Sequence, residues 1–386
     1  MKILHLVGQL EDDGGVLTVI RNLVSTPPTR SWSHVVWVNQ AFVEIRRPPL
    51  TYRFSRFGCA DHPSLLRLAW SALRALIEVK RLLDREPCDV IHAHSRGGLL
   101  VGLGLAAWQH RPVLFTNHNY ARRKGCYRWA AHRRRLTTVL LTPNMARHYG
   151  LEAASPKVRI IPACCADAYL TRPLGRPTPG TGSIRPVRLA GVGTLLHWKK
   201  WHLLLEAVSR LAPAERARLQ ITVWGPHPHD PEGRQYAREL DELIATRGLS
   251  ATVCFSGPAP DVSQCLNSAD WFVLPSTNEP CSVALIEALA SGLPALVSAS
   301  GGNLDLVQPG RTGRFFRPDD PADLADQLRG IVAGQDTLAG PDAIRESVRQ
   351  RSASAVAVQY AEIYAQLSQA GQAGHDGLTA PRACSL

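Results

Sequence analysis

The chain has 386 residues, of which 45% are hydrophobic and 20% are charged, so it is long enough for two domains and has the composition of a soluble globular protein. No apolar run approaches the ~20 residues that a membrane-spanning helix needs, and the first residues lead into a strand pattern rather than a signal peptide. We therefore expect a cytoplasmic protein, at most peripheral at the inner face of a membrane. The net charge of +12 lies in the first half, because residues 1–170 hold 24 Lys and Arg against 11 Asp and Glu.

The nine cysteines are scattered, with neither a C-x-x-C motif nor the Cys/His spacing of a metal site. The pair Cys164-Cys165 is the only close one. This pattern indicates reduced, mostly buried thiols and no disulfide framework.

The first half alternates strands and helices. Residues 2–7 predict a strand that leads into the loop holding Gly14 and Gly15, and a helix follows from Val16. A glycine pair between a first strand and a first helix allows the backbone to come close to a ligand. The loop is not G-x-G-x-x-G, so dinucleotide binding is poorly supported.

Further strands are predicted over 34–39, 52–57, 89–94, 112–116, 138–143 and 158–162, with an amphipathic helix over 64–83. The strand at 89–94 ends in His94, and the next strand is followed by His118. Because open α/β sheets bind ligands at the carboxyl ends of their strands, His94 is a candidate ligand contact. A histidine at a strand end is otherwise a hydrogen-bonding residue of the structure.

The densest basic stretch, residues 122–135, holds seven Lys and Arg and no acidic residue, and it includes Tyr127 and Trp129. One interpretation is a solvated face. Another is a surface for anionic lipid headgroups or for an acceptor that carries phosphate. Single-stranded nucleic acid is a third, but no RRM, KH or zinc module accompanies the stretch, so we expect no nucleic-acid partner.

Residues 171–186 have the Pro/Gly composition of a linker, and a second α/β unit follows. Its first strand, 187–192, leads through Thr194 to Lys199 and Lys200 and then into a helix. A lysine beside a strand-to-helix loop that begins with glycine is a candidate diphosphate ligand. The remaining predicted elements, in chain order, are strand 219–225, helix 236–247, strand 253–256, the segment 261–269, strands 295–298 and 314–316, and helices 321–332 and 344–367. A loop with His227 and His229 lacks further metal ligands.

The most informative stretch is a buried strand, 271–275, followed by a polar loop that ends at Glu279 and by a helix. The helix begins near Pro280 and stops at Gly292. The free N–H groups of its first residues (Cys281, Ser282 and Val283 are the candidates) form an anion site. Glu279 stands in the mouth of that site, and Glu287 follows about two turns along. Two carboxylates that bind hydroxyls around an anion site suit a nucleotide-diphosphate sugar.

The stretch from Glu279 to Glu287 resembles the E-x7-E signature of the retaining glycosyltransferases of family 4. The surrounding residues match as well, from Pro275-Ser276 through Gly292-Leu293-Pro294 to Gly301-Gly302. The resemblance implies the GT-B fold, in which two Rossmann-like, doubly wound domains face each other across a cleft. Residues 1–170 would be the acceptor domain and 171–343 the donor domain. A helix at about 344–370 would cross back to the first domain, and 371–386 would be a disordered tail.

The resemblance also assigns roles. Glu287 would bind the ribose, Glu279 and His94 the donor sugar, and the Gly14-Gly15 loop would face the donor diphosphate. Lys199 matches the lysine of the family loop G-R-x-x-x-x-K-G. The loop departs from the pattern at two positions. Thr194 replaces the arginine of the pattern, and Lys200 replaces its last glycine. The second positive charge would then come from Lys200 or from an arginine of the first domain.

The activity implied is transfer of a hexosyl unit from a UDP- or GDP-sugar to an acceptor hydroxyl with retention of configuration. The leaving phosphate would accept the proton, and no metal or other cofactor would be needed. Acceptors would be glycans or lipid-linked molecules of cell-envelope polysaccharide, glycolipid or glycoconjugate synthesis. Two alternatives stay open: a GT-B enzyme that does not transfer, such as a nucleotide-sugar epimerase, and a degenerate glycan-binding protein, which Thr194 favours.

Overall fold

The computed structural model describes residues 1–12, 14–44, 50–59, 64–151, 155–172, 185–226, 231–335 and 337–379, with backbone only for 65 and 372–379. Most of the predicted linker 171–186, the loop histidines 227 and 229, and residues 380–386 of the predicted tail lie outside these ranges. The chain forms two compact units, Met1–Pro162 with Ala353–Leu386, and Ala163–Ser352.

The elements of the first unit follow the strand–helix alternation that the sequence predicts. In chain order they are β1 Lys2–Leu6, α1 Gly14–Ser25, β2 Ser33–Asn39, β3 Thr51–Ser55, α2 Leu65–Arg85, β4 Val90–Ala93, α3 Arg96–Trp108, β5 Val113–Asn117, α4 Gly125–Ala131, β6 Leu136–Leu140, α5 Pro143–Tyr149 and β7 Val158–Ile160. A short 3₁₀ turn, Thr29–Ser31, precedes β2.

The strands of this unit form one parallel sheet. Within the described residues its order is β3-β2-β1-β4-β5-β6-β7. The chain runs outward from β1 in one direction through β2 and β3, and in the other through β4 to β7. The strand order therefore reverses between β1 and β4, and the crevice at the carboxyl ends of these two strands is where such sheets bind ligands.

The second unit repeats the pattern. Its elements are α6 Ala168–Thr171, β8 Val187–Val192, α7 Trp201–Ser209, α8 Pro213–Arg216, β9 Leu219–Trp224, α9 Pro231–Thr246, β10 Val253–Phe255, α10 Val262–Asn267, β11 Trp271–Leu274, α11 Val283–Ala290, β12 Ala295–Ser298, α12 Asn303–Leu306, β13 Gly313–Phe316, α13 Pro321–Val332 and α14 Pro341–Glu346. Short 3₁₀ turns lie at His197–Lys199 and Arg349–Arg351.

This second sheet is also parallel, in the order β10-β9-β8-β11-β12-β13 over the residues described. Its order reverses between β8 and β11. Large apolar side chains from β8, β9 and α7 fill its core, with Trp201, Leu204 and Ile221 fully buried. The predicted pair of Rossmann-like, doubly wound domains is confirmed.

The chain ends in α15 Ala353–Thr379, which packs on α1 and β4 of the first unit. The single helix predicted over 344–367 is wrong, because the helix breaks between α14 and α15. The break has a physical cause: the carbonyl of Arg351 accepts a hydrogen bond from the amide of Cys165, 3.1 Å away, and so leaves the helical pattern. The helix also continues past residue 370, into the segment expected to be a disordered tail.

One strand prediction needs a shift. The strand expected at 138–143 is β6 Leu136–Leu140, and the chain then turns into α5. Thr142 caps α5 by accepting a hydrogen bond from the amide of Met145, and Pro143 occupies the first helical turn. Proline at that position favours a helix start, which the strand-like run hid. Of the helices described, none has the length and apolar character that crossing a membrane requires.

Candidate functional site

The reversal point of the second sheet brings together two residues that lie 80 positions apart in sequence. The loop after β8 supplies Lys199 and the loop after β11 supplies Glu279. Lys199 Nζ lies 2.5 Å from Glu279 Oε1, and the two side chains are 13% and 5% exposed. A nearly buried ion pair with such geometry holds both charged groups in one orientation.

The Glu279 carboxylate is held from a second side by serine hydroxyls. Ser276 Oγ donates to Glu279 Oε1 at 2.9 Å, and Ser298 Oγ donates to the Ser276 carbonyl at 2.5 Å. The Glu279 carbonyl accepts from the amide of Gly302 at 2.7 Å. The loop is therefore fixed by its own hydrogen bonds, so the carboxylate stands in a preformed position.

Close backbone packing explains the glycines at 301 and 302. Gly301 has φ +55°, and a Cβ on Gly302 would lie 2.2 Å from the Pro280 carbonyl oxygen. Only glycine allows this approach without moving the loop that carries Glu279.

The helix predicted after Glu279 is α11, and its amino end follows the loop directly. Ser282 is the N-cap, and its Oγ accepts from the amide of Leu285 at 3.3 Å. Val283 opens the helix. Cys281 is buried, and burial raises the pKa of its thiol, so it is a neutral neighbour of the helix start. The positive end of the helix dipole thus adjoins the Lys199–Glu279 pair.

The two candidate lysines have different partners. Lys199 pairs with Glu279 and also lies 4.2 Å from the centre of the Trp198 ring. Lys200 has φ +57° and pairs with Asp319 instead. Thr194 lies in the same loop, where its carbonyl accepts from the amide of Leu196 at 2.9 Å. Of the two lysines, Lys199 is the one joined to Glu279.

Glu287, the second acid of the E-x7-E pattern, is buried on α11. Burial, followed by the charge of Glu287, raises the pKa of the Cys165 thiol well above its ordinary value. The proposed ribose contact of Glu287 stays a prediction.

In the first unit, Gly14 and Gly15 do not lie in the loop between β1 and α1, as the sequence predicted, but are the first two residues of α1. The helix begins at Gly14, which has φ +79°. Just before it, the carboxylate of Asp12 is fully buried and accepts from Arg21 Nη2 of α1, at 2.6 Å to Oδ1 and 2.5 Å to Oδ2. This ion pair ties the loop to its helix next to the glycine pair.

His94 lies at the same sheet edge but belongs to a chain of imidazoles. His34, His5, His94 and His118 are joined in that order by ring-nitrogen contacts of 3.0, 3.0 and 3.2 Å, and we call them the histidine chain. His34 Nε2 lies 3.2 Å from the Thr29 carbonyl at one end. His118, half-buried, forms the other end.

The Thr29 carbonyl determines which ring donates and which accepts at each contact of the histidine chain. A carbonyl only accepts, so Nε2 of His34 must carry hydrogen. If the rings are neutral, each one then donates from Nε2 and accepts at Nδ1, so His94 donates to His5 and accepts from His118. Burial is the largest cause that lowers the pKa of His5, His94 and His118, in the last case to about 4, which keeps these rings neutral.

His92 packs beside the histidine chain, with its ring centre 3.9 Å from that of His94. Ring nitrogens of His5, His92 and His94 lie within 4.8 Å of one another, a spacing that a metal ion could use. However, His92 Nδ1 already meets Tyr364 Oη at 2.7 Å and Nε2 meets Thr116 Oγ1 at 2.8 Å. The hydrogen bonds account for the cluster without a metal.

The basic segment 122–135 contains α4, and its two aromatic residues differ. Tyr127 is buried, whereas Trp129 is exposed with the Arg133 guanidinium 3.8 Å from its ring centre. The aromatic interleaving that the sequence suggested therefore leaves one aromatic side chain at the surface.

Two groups of residues were missed by sequence reasoning. Ser276 supports Glu279 directly, and Ser298 supports it through the Ser276 carbonyl. The sequence signal for Ser276 was the pair Pro275-Ser276 at the start of the loop, and Ser298 had no such signal. His5 and His34 belong to the histidine chain, and they lie inside apolar strand patterns where a single histidine carries no signal. Sheet order alone joins them.

Two family models match the chain. One, described as glycosyl transferases group 1, matches residues 186–350, and the other, described as Glycosyltransferase Family 4, matches residues 13–164. Each match falls on one of the two α/β units. Together they span most of the chain.

Curated proteins that are similar to this chain include named glycosyltransferases. A D-inositol 3-phosphate glycosyltransferase of Geodermatophilus obscurus is 34% identical over 157 residues, 39% of this chain and 34% of that protein. A mannosylfructose-phosphate synthase of Agrobacterium fabrum is 36% identical over 136 residues, 34% of this chain and 30% of that protein. The matches thus span about a third of these relatives. A 2-deoxystreptamine glucosyltransferase of Streptomyces kanamyceticus is 28% identical over 77% of this chain and 84% of its own.

Solved structures share the fold over nearly the whole chain. A sucrose-phosphate synthase of Thermosynechococcus elongatus has a TM-score of 0.78 at 19% identity, covering 96% of this chain and 100% of its own. The Anabaena protein HepE, in complex with UDP and glucose, has a TM-score of 0.73 at 19% identity, covering 95% and 100%. The fold is therefore GT-B, and with a matching model on each unit the chain belongs to glycosyltransferase family 4.

Proposed function

We propose that this protein transfers a hexosyl unit from a nucleotide-diphosphate sugar to an acceptor hydroxyl, with retention of the anomeric configuration. The observation that carries the proposal is the ion pair of Lys199 and Glu279 beside the amino end of α11. The pair supports the proposal because a cation, a carboxylate and the positive end of a helix dipole lie together where the second sheet reverses its strand order, which is where such sheets bind ligands.

The donor diphosphate would lie against the first amides of α11 and Lys199 Nζ. These groups would stabilise the negative charge that develops on the diphosphate as its bond to the sugar breaks, so no metal ion would be required for that purpose. Glu279 would accept hydrogen bonds from a hydroxyl of the sugar, and Glu287 from the ribose. We take a UDP-sugar as the first candidate donor, because HepE, with the same fold, is described in complex with UDP-glucose.

The proposed reaction breaks the bond between the anomeric carbon and the diphosphate oxygen, and forms a bond from that carbon to the acceptor oxygen on the same face. The acceptor proton passes to the leaving phosphate. No side-chain base is needed for this balance. The donor contacts of His94, Gly14 and Gly15 that the family resemblance implies stay predictions.

We propose an anionic acceptor, a polyol phosphate or a lipid-linked phosphate. The names of two relatives, a D-inositol 3-phosphate glycosyltransferase and a mannosylfructose-phosphate synthase, refer to phosphorylated polyols or sugars. Residues 1–170, with 24 basic residues against 11 acidic ones, would attract such an acceptor, and segment 122–135 is the densest part. A lipid-linked acceptor would place the enzyme at the cytoplasmic face of a membrane, in cell-envelope or glycolipid synthesis.

Replacement of the carboxylate tests the proposal. Glu279→Gln retains the size of the side chain and an oxygen for the Ser276 hydroxyl, but it removes the charge. We expect donor turnover, measured as UDP release from UDP-glucose with and without inositol phosphate, to fall roughly 10²–10³-fold. Because the nearly buried Lys199 then lacks its counter-charge, the Tm should fall as well, so turnover is measured well below the Tm of the variant. Turnover equal to that of the parent would refute the role of Glu279.

The two lysines provide a matched pair of variants. Lys199→Met should lose UDP-sugar binding and turnover, because it removes the cation beside α11. Lys200→Met should retain most of both, because the Lys200 partner is Asp319. Isothermal titration with UDP reports binding separately from turnover, and equal losses in the two variants would contradict the assignment.

The product distinguishes the remaining possibilities. Proton NMR of the product should show the anomeric configuration of the donor, and dialysis against EDTA should leave the rate unchanged. An epimerase would convert the nucleotide sugar without an acceptor. A glycan-binding protein would bind but release no UDP, in the parent and in Glu279→Gln alike.

A further inference from the structure

The helix α2 exposes a row of large apolar side chains. Leu66, Trp70, Leu73 and Ile77, which we call the outer row, follow the i, i+4, i+7, i+11 spacing of one helix face, and Leu66 and Trp70 are 84% and 57% exposed. The opposite face packs on the first unit through five buried residues: Leu68, Ala72, Ala75, Val79 and Leu83. The core of this unit therefore does not need the outer row, and an exposed apolar row of this length marks an interaction surface.

Neighbouring residues extend this surface. The Arg74 guanidinium lies 4.4 Å from the ring centre of Trp70 and 5.0 Å from that of Phe57. On the adjacent helix α3, Trp108 is exposed, and Lys80 Nζ lies 5.5 Å from its ring centre. Two exposed tryptophans thus each have a cation beside the ring. Such a pair suits a boundary between an apolar layer and a charged layer.

The charge along α2 is positive. Arg67, Arg74 and Arg81 are exposed at successive heptad positions and form an arginine row beside the outer row. The helix has five basic residues against two acidic ones. Both acids have partners: Glu78 accepts from Ser55, and Asp84 pairs with Lys80 at 2.7 Å. Among the described residues, no acidic side chain is paired with the arginine row, which is therefore available to negative charge from outside.

We propose that the outer face of α2 docks the protein on an anionic lipid bilayer. The outer row would enter the boundary between headgroups and acyl chains, and the arginine row would contact lipid phosphates. Charge complementarity favours an anionic bilayer over a second copy of the chain, because two copies that met through this face would bring their arginine rows together. The docking surface does not depend on which sugar is transferred.

This surface differs from segment 122–135. There, Tyr127 is buried and Trp129 is a single exposed aromatic side chain with Arg133 beside its ring, so the segment supplies charge without an apolar row. We expect segment 122–135 to add electrostatic attraction and α2 to add insertion. The two contributions respond differently to salt, since screening weakens the attraction by segment 122–135 and by the arginine row but not the insertion of the outer row.

Co-sedimentation of the full chain with vesicles tests the proposal. The parent should bind vesicles of phosphatidylcholine with phosphatidylglycerol, and bind pure phosphatidylcholine at least about tenfold more weakly. Trp70→Ser with Leu73→Ser should lower the partition coefficient on the anionic vesicles about tenfold or more, because it removes two large apolar side chains that would be buried. Trp129→Ser, an exposed tryptophan outside the outer row, should change it less than twofold.

The folded state and the chemistry are checked independently. Because both substituted residues are exposed and lie outside the donor site, the Tm and UDP release should match those of the parent. Vesicle binding unchanged by the double variant would overturn the proposal, as would a parent that binds neither vesicle. Dissociation of a dimer by the double variant, in analytical ultracentrifugation, would assign the face to a second copy and also overturn it. If the parent releases no UDP, the proposed function is rejected, but the result of the vesicle-binding experiment still holds.

Discussion

The buried histidines of the first unit couple its stability to pH. Burial, the largest cause, holds the pKa of His5, His92 and His94 well below the ordinary value of 6.5, and that of His118 at about 4. In the unfolded chain these rings take up protons near pH 6.5, whereas in the folded protein they do not. The unfolded state therefore gains protons first, and the free energy of unfolding decreases as pH falls below 6.5.

We expect the Tm to be flat above about pH 7 and to fall as pH is lowered from 6.5 toward 4, the range between the unfolded and folded pKa values of His118. His118→Gln should make this dependence less steep, since Gln does not titrate whereas His5, His92 and His94 still do. His110→Asn, at an exposed histidine outside the cluster, should leave the slope as in the parent. Differential scanning fluorimetry across this pH range is sufficient. A slope in His118→Gln identical to that of the parent would disprove the linkage.

At the scale of elements, the loop before α11 depends on backbone packing as much as on its side chains. Gly302 donates its amide to the Glu279 carbonyl, and its α-carbon leaves no room for a methyl group beside Pro280. The position of the Glu279 carboxylate is therefore set by a segment more than twenty residues further along the chain.

Gly302→Ala should displace this loop. We expect a loss of about 1–3 kcal/mol in the free energy of unfolding, from overpacking, and a fall in UDP release at least as large as that of Glu279→Gln. Gly340→Ala is the matched control, because Gly340 has φ −64° and a Cβ there would meet nothing within 4 Å. Urea unfolding followed by tryptophan fluorescence measures the difference. Equal stability of the two variants would show that the loop tolerates the methyl group.

At the scale of the whole molecule, the features described above are distributed over two units of similar architecture. The second unit has the Lys199–Glu279 pair, and the first has the excess positive charge, the histidine chain and the outer row. If the proposed function holds, ligands of different kinds should act on different units.

Hydrogen exchange with mass spectrometry can map this division. UDP should slow amide exchange in residues 193–200 and 276–285, the loops after β8 and β11, because the diphosphate would bind their backbone amides. Anionic vesicles should instead slow exchange in α2. Protection of α2 by UDP alone, or of residues 276–285 by vesicles alone, would contradict the assignment.

Much of the fold could be predicted from the sequence because its signals are local. Strand β8 and helix α13 were placed at their observed bounds by apolar periodicity and by the proline that opens the helix. The family could be predicted because Glu279, Glu287 and their neighbours form one continuous stretch. The break between α14 and α15 could not, because it depends on a hydrogen bond from Cys165, far away in sequence.

The sequence by itself determined the two α/β halves, the family and the position of the E-x7-E stretch, because these depend on residue order and turn chemistry within short windows. Only the tertiary structure decided that Lys199 rather than Lys200 meets Glu279 and that His94 is joined to three other histidines. It also decided that the outer row of α2 is exposed. These facts depend on strand order and on which helix face finds a partner, and such long-range packing leaves no mark on local periodicity.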